Sequence, residues 1–234
     1  MGISTRPNTA GVWIIVPAFN EAKVIGDVVG DLRSVFANVV CVDDGSRDNT
    51  ADVALRAGAH VVRHPVNLGQ GAAIQTGVEY ARNKPGATHF ATFDADGQHR
   101  VQDVLRMLDR LRRDDLDIVI GTRFADTTVS HTPPLKRLIL RLAATLSPSS
   151  RRLHLTDAHN GLRVFNHTVA DQLDLTMSGM SHASEFISLI AENHWRVAEE
   201  PVEILYTDYS MSKGQPLLNG VNIVFDGFLR GRMR

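Results

Sequence analysis

Five short apolar runs punctuate the first half of the chain, at positions 12–16, 39–42, 60–62, 89–93 and 118–120. Each is too short for a helix and is dominated by valine, isoleucine or aromatic residues, which fits a buried strand. Between them, positions 22–34, 50–57, 71–83 and 101–113 space their apolar residues at the helical period. In the last of these Val101, Val104, Leu105, Leu108 and Leu111 share one face. Strands alternating with helices predict βα units around a largely parallel sheet, an α/β fold of Rossmann-like type. Ligands of such sheets bind beyond the carboxyl ends of the strands, so the loops that follow the apolar runs are where chemistry is expected.

The pattern changes after Arg123. Positions 127–134 form a polar, proline-containing loop, and 135–146 form a basic amphipathic stretch that ends in a Ser-Pro-Ser-Ser turn at 147–150. This reads as an inserted lid rather than a second domain. Positions 162–165 predict a returning strand, 183–193 a helix, 197–204 one or two strands and 220–230 a terminal helix. There is no internal repeat, and 1–234 reads as one domain.

The 234 residues are 43% hydrophobic and 22% charged, the balance of a packed protein with a sizeable core. A net charge of -1 supplies no basic field for nucleic acid. The local balance differs, since 127–156 holds Lys136, Arg137, Arg141, Arg151 and Arg152 and no acid. Cys41 is the only cysteine and sits in an apolar run, which rules out an internal disulfide and fits the cytosol. The N-terminus lacks the apolar region of a signal peptide, and no run reaches the roughly 20 apolar residues of a membrane span. The expected location is cytoplasmic. The basic stretch is either a contact with the cytoplasmic face of a membrane or a solvated lid packed on the domain.

The sharpest chemical signal is Phe-Asp-Ala-Asp-Gly-Gln-His at 93–99, where two carboxylates emerge from a predicted strand. Oxygen ligands suit hard cations, so Asp94 and Asp96 read as a clamp for Mg²⁺ or Mn²⁺ rather than as a zinc or redox site. A second acidic pair, Asp43 and Asp44, ends another strand, and two acidic strand ends in one open sheet suggest one crevice. The loop Pro17-Ala18-Phe19-Asn20-Glu21 allows two readings. Asn20 caps a helix with Glu21 at its positive end, or the loop faces the base and ribose of a nucleotide. Ser46 or Asp48 suits a helix cap, which leaves Asp43 and Asp44 to accept hydrogen bonds from uracil or guanine N–H groups or from ribose hydroxyls. Asn67-Leu68-Gly69-Gln70-Gly71-Ala72 is a relaxed phosphate loop or simply a tight turn, with Ile74 where a third glycine would stand. His99 either touches substrate or begins a helix, and His154 and His159 lack the close spacing that would favour zinc.

In order, Val-Pro-Ala-Phe-Asn-Glu, Val-Asp-Asp-Gly-Ser-Arg-Asp-Asn-Thr, Asn-Leu-Gly-Gln-Gly-Ala, Asp-Ala-Asp-Gly-Gln-His and Gly121-Thr122-Arg123 resemble family 2 glycosyltransferases. Within them the chain is most similar to the dolichyl-phosphate mannose synthase and polyprenyl-phosphate glycosyltransferase branch. The likeness continues less tightly through Asp157, the Gly161-Leu162-Arg163 stretch, Glu185 and Ser212-Lys213. It implies a GT-A fold, with 1–123 binding a nucleotide-diphosphate sugar (UDP- or GDP-linked) and 124–234 serving the acceptor. It also implies inversion at the anomeric carbon with Mg²⁺ or Mn²⁺. Carried over by motif, Pro17, Asn20, Glu21, Asp43, Asp44, Asn67, Gly71, Asp94 and Ala95 bind the nucleotide sugar, while Asp94, Asp96 and Gln98 arrange the metal. Arg123, Arg137 and Lys213 meet the acceptor, and Asp96, Asp157 and Arg123 are the catalytic set. A polyprenyl phosphate is already anionic and needs no base; a hydroxyl acceptor needs one, for which Asp157 is the candidate. Asp157 is otherwise an ion-pair partner of Arg163 or of another basic neighbour. Two departures stand out: Leu162 replaces the usual phenylalanine of Gly-Phe-Arg, and Leu140 stands where lipid-phosphate members tend to carry a hydroxyl. A nucleotide-sugar-binding module without catalysis is the competing class. A nucleotidyltransferase is disfavoured, because the first strand ends in Pro-Ala-Phe-Asn-Glu rather than in a glycine- and arginine-rich loop. Nothing in the pattern sets an oligomeric state.

Overall fold

A computed structural model describes residues 8–123, 153, 155–157, 160–177 and 181–205. The expected lid, the basic stretch with Arg137, Leu140 and Arg141, His154, His159, Lys213 and the expected terminal helix lie outside the described residues.

The five predicted strands form β1 (Val12–Ala18), β2 (Asn38–Asp43), β3 (His60–Arg63), β4 (His89–Thr92) and β5 (Ile118–Thr122). The helices between them are α1 (Ile25–Arg33), α2 (Thr50–Arg56), α3 (Gln70–Arg82) and α4 (Val101–Arg113). Then follow β6 (Arg163–Asn166), α5 (His167–Gln172), α6 (Ser181–Glu192) and β7 (Val197–Pro201). The seven strands run in the order β3-β2-β1-β4-β6-β5-β7. All neighbours are parallel except β6, which is antiparallel to both β4 and β5.

Apolar clusters cover both faces of the sheet. Val12, Ile14, Val16, Val39 and Cys41 turn toward α1 and α4, against Leu32, Phe36, Met107 and Leu108. Trp13, Ile15, Val40 and Val42 turn the other way, against Ile74, Val78, Phe186 and Ile190 of α3 and α6. Two-sided burial is why these strands read as continuous apolar runs. Burial, and secondarily Asp43, pushes the Cys41 thiol up to about 12, so it is inert packing.

The proline in β1 is tolerated for a definable reason. Pairing with β4 ends at Ile15, whose carbonyl accepts from the Phe93 N–H, while on the β2 side the Ala18 carbonyl accepts from Asp44 N–H. Residue 17 points to the β4 side beyond its last partner, where a missing N–H breaks no ladder. Similarly, Pro201 ends the edge strand β7.

Candidate active site

The loops after β1 and β2 are sewn together along the rim. Asn20 N–H donates to Ser46 Oγ at 2.8 Å, the Arg47 N–H donates to Asn20 Oδ1 at 2.9 Å, and Glu21 N–H donates to Thr50 Oγ1 at 2.8 Å. Asn20 holds a left-handed backbone with φ of 56°, which asparagine tolerates better than most residues. It therefore does not cap α1, which begins at Ile25 after a turn closed on the Glu21 carbonyl. Asp48 rather than Ser46 serves the start of α2: its Oδ1 accepts from Thr50 N–H at 3.1 Å and its Oδ2 from Ala22 N–H at 3.2 Å.

The two acids at the end of β2 differ. Asp44 is buried, and its Oδ1 accepts from Leu68 N–H at 2.8 Å and lies 2.7 Å from His64 Nδ1. Its Oδ2 accepts from Gly69 N–H at 2.8 Å, so this carboxylate holds the Asn67-to-Gly69 loop in place. Asp43 is also wholly buried, with Oδ1 accepting from Ser46 N–H at 3.1 Å. Its Oδ2 has no hydrogen bond and sits 3.3 Å from Arg63 Nε. Beside it, a notch of about 320 Å³ is lined by Gly45, Ser46, Arg63, His64 and Pro65.

Asp94, Ala95 and Asp96 leave β4 at the centre of the rim. Asp94 Oδ1 accepts from Gln70 Nε2 at 3.0 Å, at the start of α3, and its Oδ2 meets His99 Nε2 at 3.0 Å. Burial raises the Asp94 carboxyl, but the His99 hydrogen bond and the field of His99, Arg163 and His182 outweigh it and hold it below the ordinary range. Asp96 goes the other way. Burial, then the negative charges of Asp94 and Glu21, push it up to about 6 against the Gln98 N–H that donates to its Oδ1 at 3.0 Å. Gln98 is tied by its backbone on both sides, its carbonyl accepting from Leu205 N–H at 2.9 Å.

Gly161 fits against this acid without a side chain: a Cβ there would lie 2.1 Å from Asp94 Oδ2. Gly71 is equally constrained, since a Cβ would meet the Met177 carbonyl oxygen at 2.5 Å and His182 Cβ at 2.8 Å. Gly71→Ala is therefore expected to destabilise the fold by about 1–3 kcal/mol, the usual range for overpacking, readable as a lower urea midpoint with an unchanged slope. Glu185 organises the other side of that contact, accepting from Thr176 N–H at 3.0 Å, from Thr176 Oγ1 at 2.7 Å and from Met177 N–H at 2.9 Å.

Asp157, whose ion-pair partner the sequence left open between Arg163 and another basic neighbour, pairs with Arg123. Arg123 Nε donates to Asp157 Oδ2 and Nη2 to Oδ1, both at 2.6 Å, and the Arg123 N–H reaches Oδ2 at 3.0 Å. Arg163 is instead wholly buried beneath them, its guanidinium 4.9 Å from the Phe186 ring and its Nε and Nη2 without hydrogen bonds. Burial lowers its pKa to about 10, with Asp94 and Asp157 countering. Arg137 and Lys213 lie outside the described residues. The motifs did not point to Gln70, His64 or Glu199. The polar Gln70 at the phosphate-like loop and the acidic pair inside the apolar run at 197–204 were the available signals.

A mostly parallel α/β sheet with acids at its rim narrows the class, and comparison with known proteins makes it specific. The glycosyl transferase family 2 model matches residues 13–174, and the chain belongs to that family. It is 28% identical to the UDP-N-acetylglucosamine–dolichyl-phosphate N-acetylglucosaminyltransferase of Methanococcus voltae, over 92% of this chain and 93% of that one. It is 25% identical to the polyprenol monophosphomannose synthase of Mycolicibacterium smegmatis, over 98% and 91%. The structure of glucosyl-3-phosphoglycerate synthase from Mycobacterium tuberculosis, in complex with Mn²⁺, uridine diphosphate and phosphoglyceric acid, superposes with a TM-score of 0.71. That match covers 94% of this chain and 78% of that one at 15% identity. The fold is the GT-A fold, and the chain is a glycosyltransferase that resembles these dolichyl- and polyprenyl-phosphate enzymes.

Proposed function

We propose that the enzyme inverts the anomeric centre of a UDP- or GDP-linked sugar while transferring it to a polyprenyl phosphate with the help of Mg²⁺ or Mn²⁺. The observation that carries the acceptor assignment is the fork between Arg123 and Asp157. Both carboxylate oxygens are taken up by the guanidinium, so Asp157 is poorly placed to remove a proton from a hydroxyl acceptor. Its partner offers a fixed positive charge, which suits an acceptor that arrives as an anion.

The acids fit a hard cation. Asp96 is pushed up to about 6 mainly by burial and then by Asp94, so the pair carries negative charge that a cation would offset. Among the described residues no group of three or more His, Cys, Asp or Glu side chains could hold a metal. Two carboxylates alone suit Mg²⁺ or Mn²⁺, which keep waters and bind substrate phosphates. When bound, the cation would neutralise charge on the departing diphosphate. Asp94 and Asp96 would hold it, with Gln98 fixing the loop. Gln70 and His99 orient Asp94 from opposite sides. An acceptor phosphate oxygen then forms a bond to the anomeric carbon from the face opposite the diphosphate, whose bond breaks.

On the donor side Pro17, Asn20, Glu21 and Asp43 surround the nucleoside. Asp44, Asn67, Gly71 and Ala95 shape the walls. Arg137 and Lys213 add charge for the lipid phosphate, and the basic stretch rests on the cytoplasmic face of a membrane. No helix among the described residues is long and apolar enough to cross one.

A thermal-shift panel of UDP- and GDP-sugars tests the donor, and radiolabel transfer tests the acceptor. One nucleotide class is expected to stabilise the protein only with Mn²⁺, by about 2.7 kcal/mol at a hundred times Kd. Label is expected to pass to polyprenyl phosphate and not to the corresponding neutral alcohol. Equal use of the alcohol would return Asp157 to the role of base.

A further inference from the structure

On β7, alternation sends two successive acids to different tasks. Glu200 pairs with Arg110 of α4, its Oε2 2.9 Å from Nη1. Glu199 turns to the turn that carries Asp157. Its Oε1 accepts from Thr156 N–H at 2.7 Å and from Asp157 N–H at 2.8 Å, while its Oε2 accepts from Thr156 Oγ1 at 2.8 Å. On the other side of the same turn, Thr156 Oγ1 lies 2.9 Å from Thr122 Oγ1, at the end of β5. The turn is strapped across the strand end from which Arg123 emerges.

We propose that Glu199 is a positioning residue for the acceptor side of the reaction: it fixes the Thr156–Asp157 turn, and through Asp157 it sets the direction of the Arg123 guanidinium. Charge makes this more than a turn anchor. A carboxylate that accepts two successive backbone N–H groups and a hydroxyl leaves its turn little freedom. The Asp157 side chain is 1% exposed, whereas that of Arg123 is 18% exposed. The buried acid is thus the fixed end of the pair and the arginine the end that meets solvent. The hydrogen bonds that Glu199 makes go to Thr156 and Asp157 and not to Asp94 or Asp96, so a fault in them should reach the acceptor before the donor.

The inference rests on the reading of Arg123 as an acceptor contact, and the experiment separates the two. Glu199→Ala, Glu199→Gln, Asp157→Asn and the Glu199→Ala/Asp157→Asn double variant are compared with the parent, using polyprenyl phosphate and the nucleotide sugar that stabilises the parent. Glu199→Ala should raise KM for polyprenyl phosphate about ten- to a hundredfold, with KM for the donor within about twofold, since small misplacements carry costs of that size. Glu199→Gln keeps one acceptor oxygen and should fall between. The double variant should be no worse than Asp157→Asn, the non-additivity of two groups acting through one path. The ¹⁵N-labelled Arg123 Nε–H resonance, assigned by its loss in Arg123→Lys, should be protected from exchange in the parent and lose protection in Glu199→Ala. Additive losses, an equal rise in donor KM, or an unchanged Arg123 resonance would overturn the proposal. A parent that uses no polyprenyl phosphate would sink the acceptor assignment instead, and the resonance alone would then decide the role of Glu199.

Discussion

Asp96→Asn is expected to give a protein that is more stable than the parent at pH 8 and unable to transfer sugar. The side chain is held partly out of water beside Asp94, and its pKa is raised to about 6. A carboxyl whose folded pKa lies above its unfolded value stabilises the fold only while protonated, and that contribution is lost as pH rises through 6. At pH 8 the charged form is a cost that asparagine lacks. Partial exposure screens the effect, so the gain should be about 1–2 kcal/mol, or roughly 2–8 °C in Tm for a chain of this size. Near pH 4 the parent is protonated as well and the difference should vanish. At pH 8 transfer should fall on the order of 10³-fold, because the variant offers one carboxylate to the cation. Melts in EDTA at both pH values, with turnover in Mn²⁺, make the check. A variant that gains nothing at pH 8 would show that Asp96 carries no unfavourable charge, and one that keeps turnover at limiting metal would show that it does not bind the cation.

Gly161→Ala should do the reverse, sparing the fold and damaging the site. The added methyl would sit 2.1 Å from Asp94 Oδ2 and 2.7 Å from both Asp94 Cγ and Oδ1. The three atoms nearest to it all belong to that carboxylate, so the side chain can rotate away at modest cost to stability. Rotation breaks its contacts with Gln70 and His99, and a displacement near 1 Å at a reacting centre costs about a hundredfold. Mn²⁺-dependent donor binding, followed by calorimetry, should weaken while the melting curve moves little. A large loss of stability with normal donor affinity would mean that the backbone, rather than Asp94, yields.

The letters of the chain were informative where burial and charge were local. Two-sided burial wrote β1, β2, β4 and β5 into the sequence as apolar runs, and the acids that end β2 and β4 marked the rim. Helix starts were harder. Asn20 has the chemistry of a cap, yet tertiary bonds to Ser46 and Arg47 claimed it and delayed α1 to Ile25. The short α5 went unread because only Val169 and Ala170 of its six residues are buried, although Asn166 caps it by accepting from Val169 N–H. The reversed direction of β6 left no local mark. Within the site, residue types were legible and pairings were not. Glu199 reaches Asp157 across 42 positions and Gln70 reaches Asp94 across 24, distances that periodicity does not encode.

The place of β6 ties the halves of the chain together. It lies between β4 and β5 and is bonded to both, so a polypeptide cut after Arg123 would keep those two strands with no neighbour joining them. Each would then show an open hydrogen-bonding margin, a template for self-association. A fragment ending at Arg123 is therefore expected to self-associate rather than stand alone, and the strand that follows Asp157 and Gly161 is the wedge that closes the sheet.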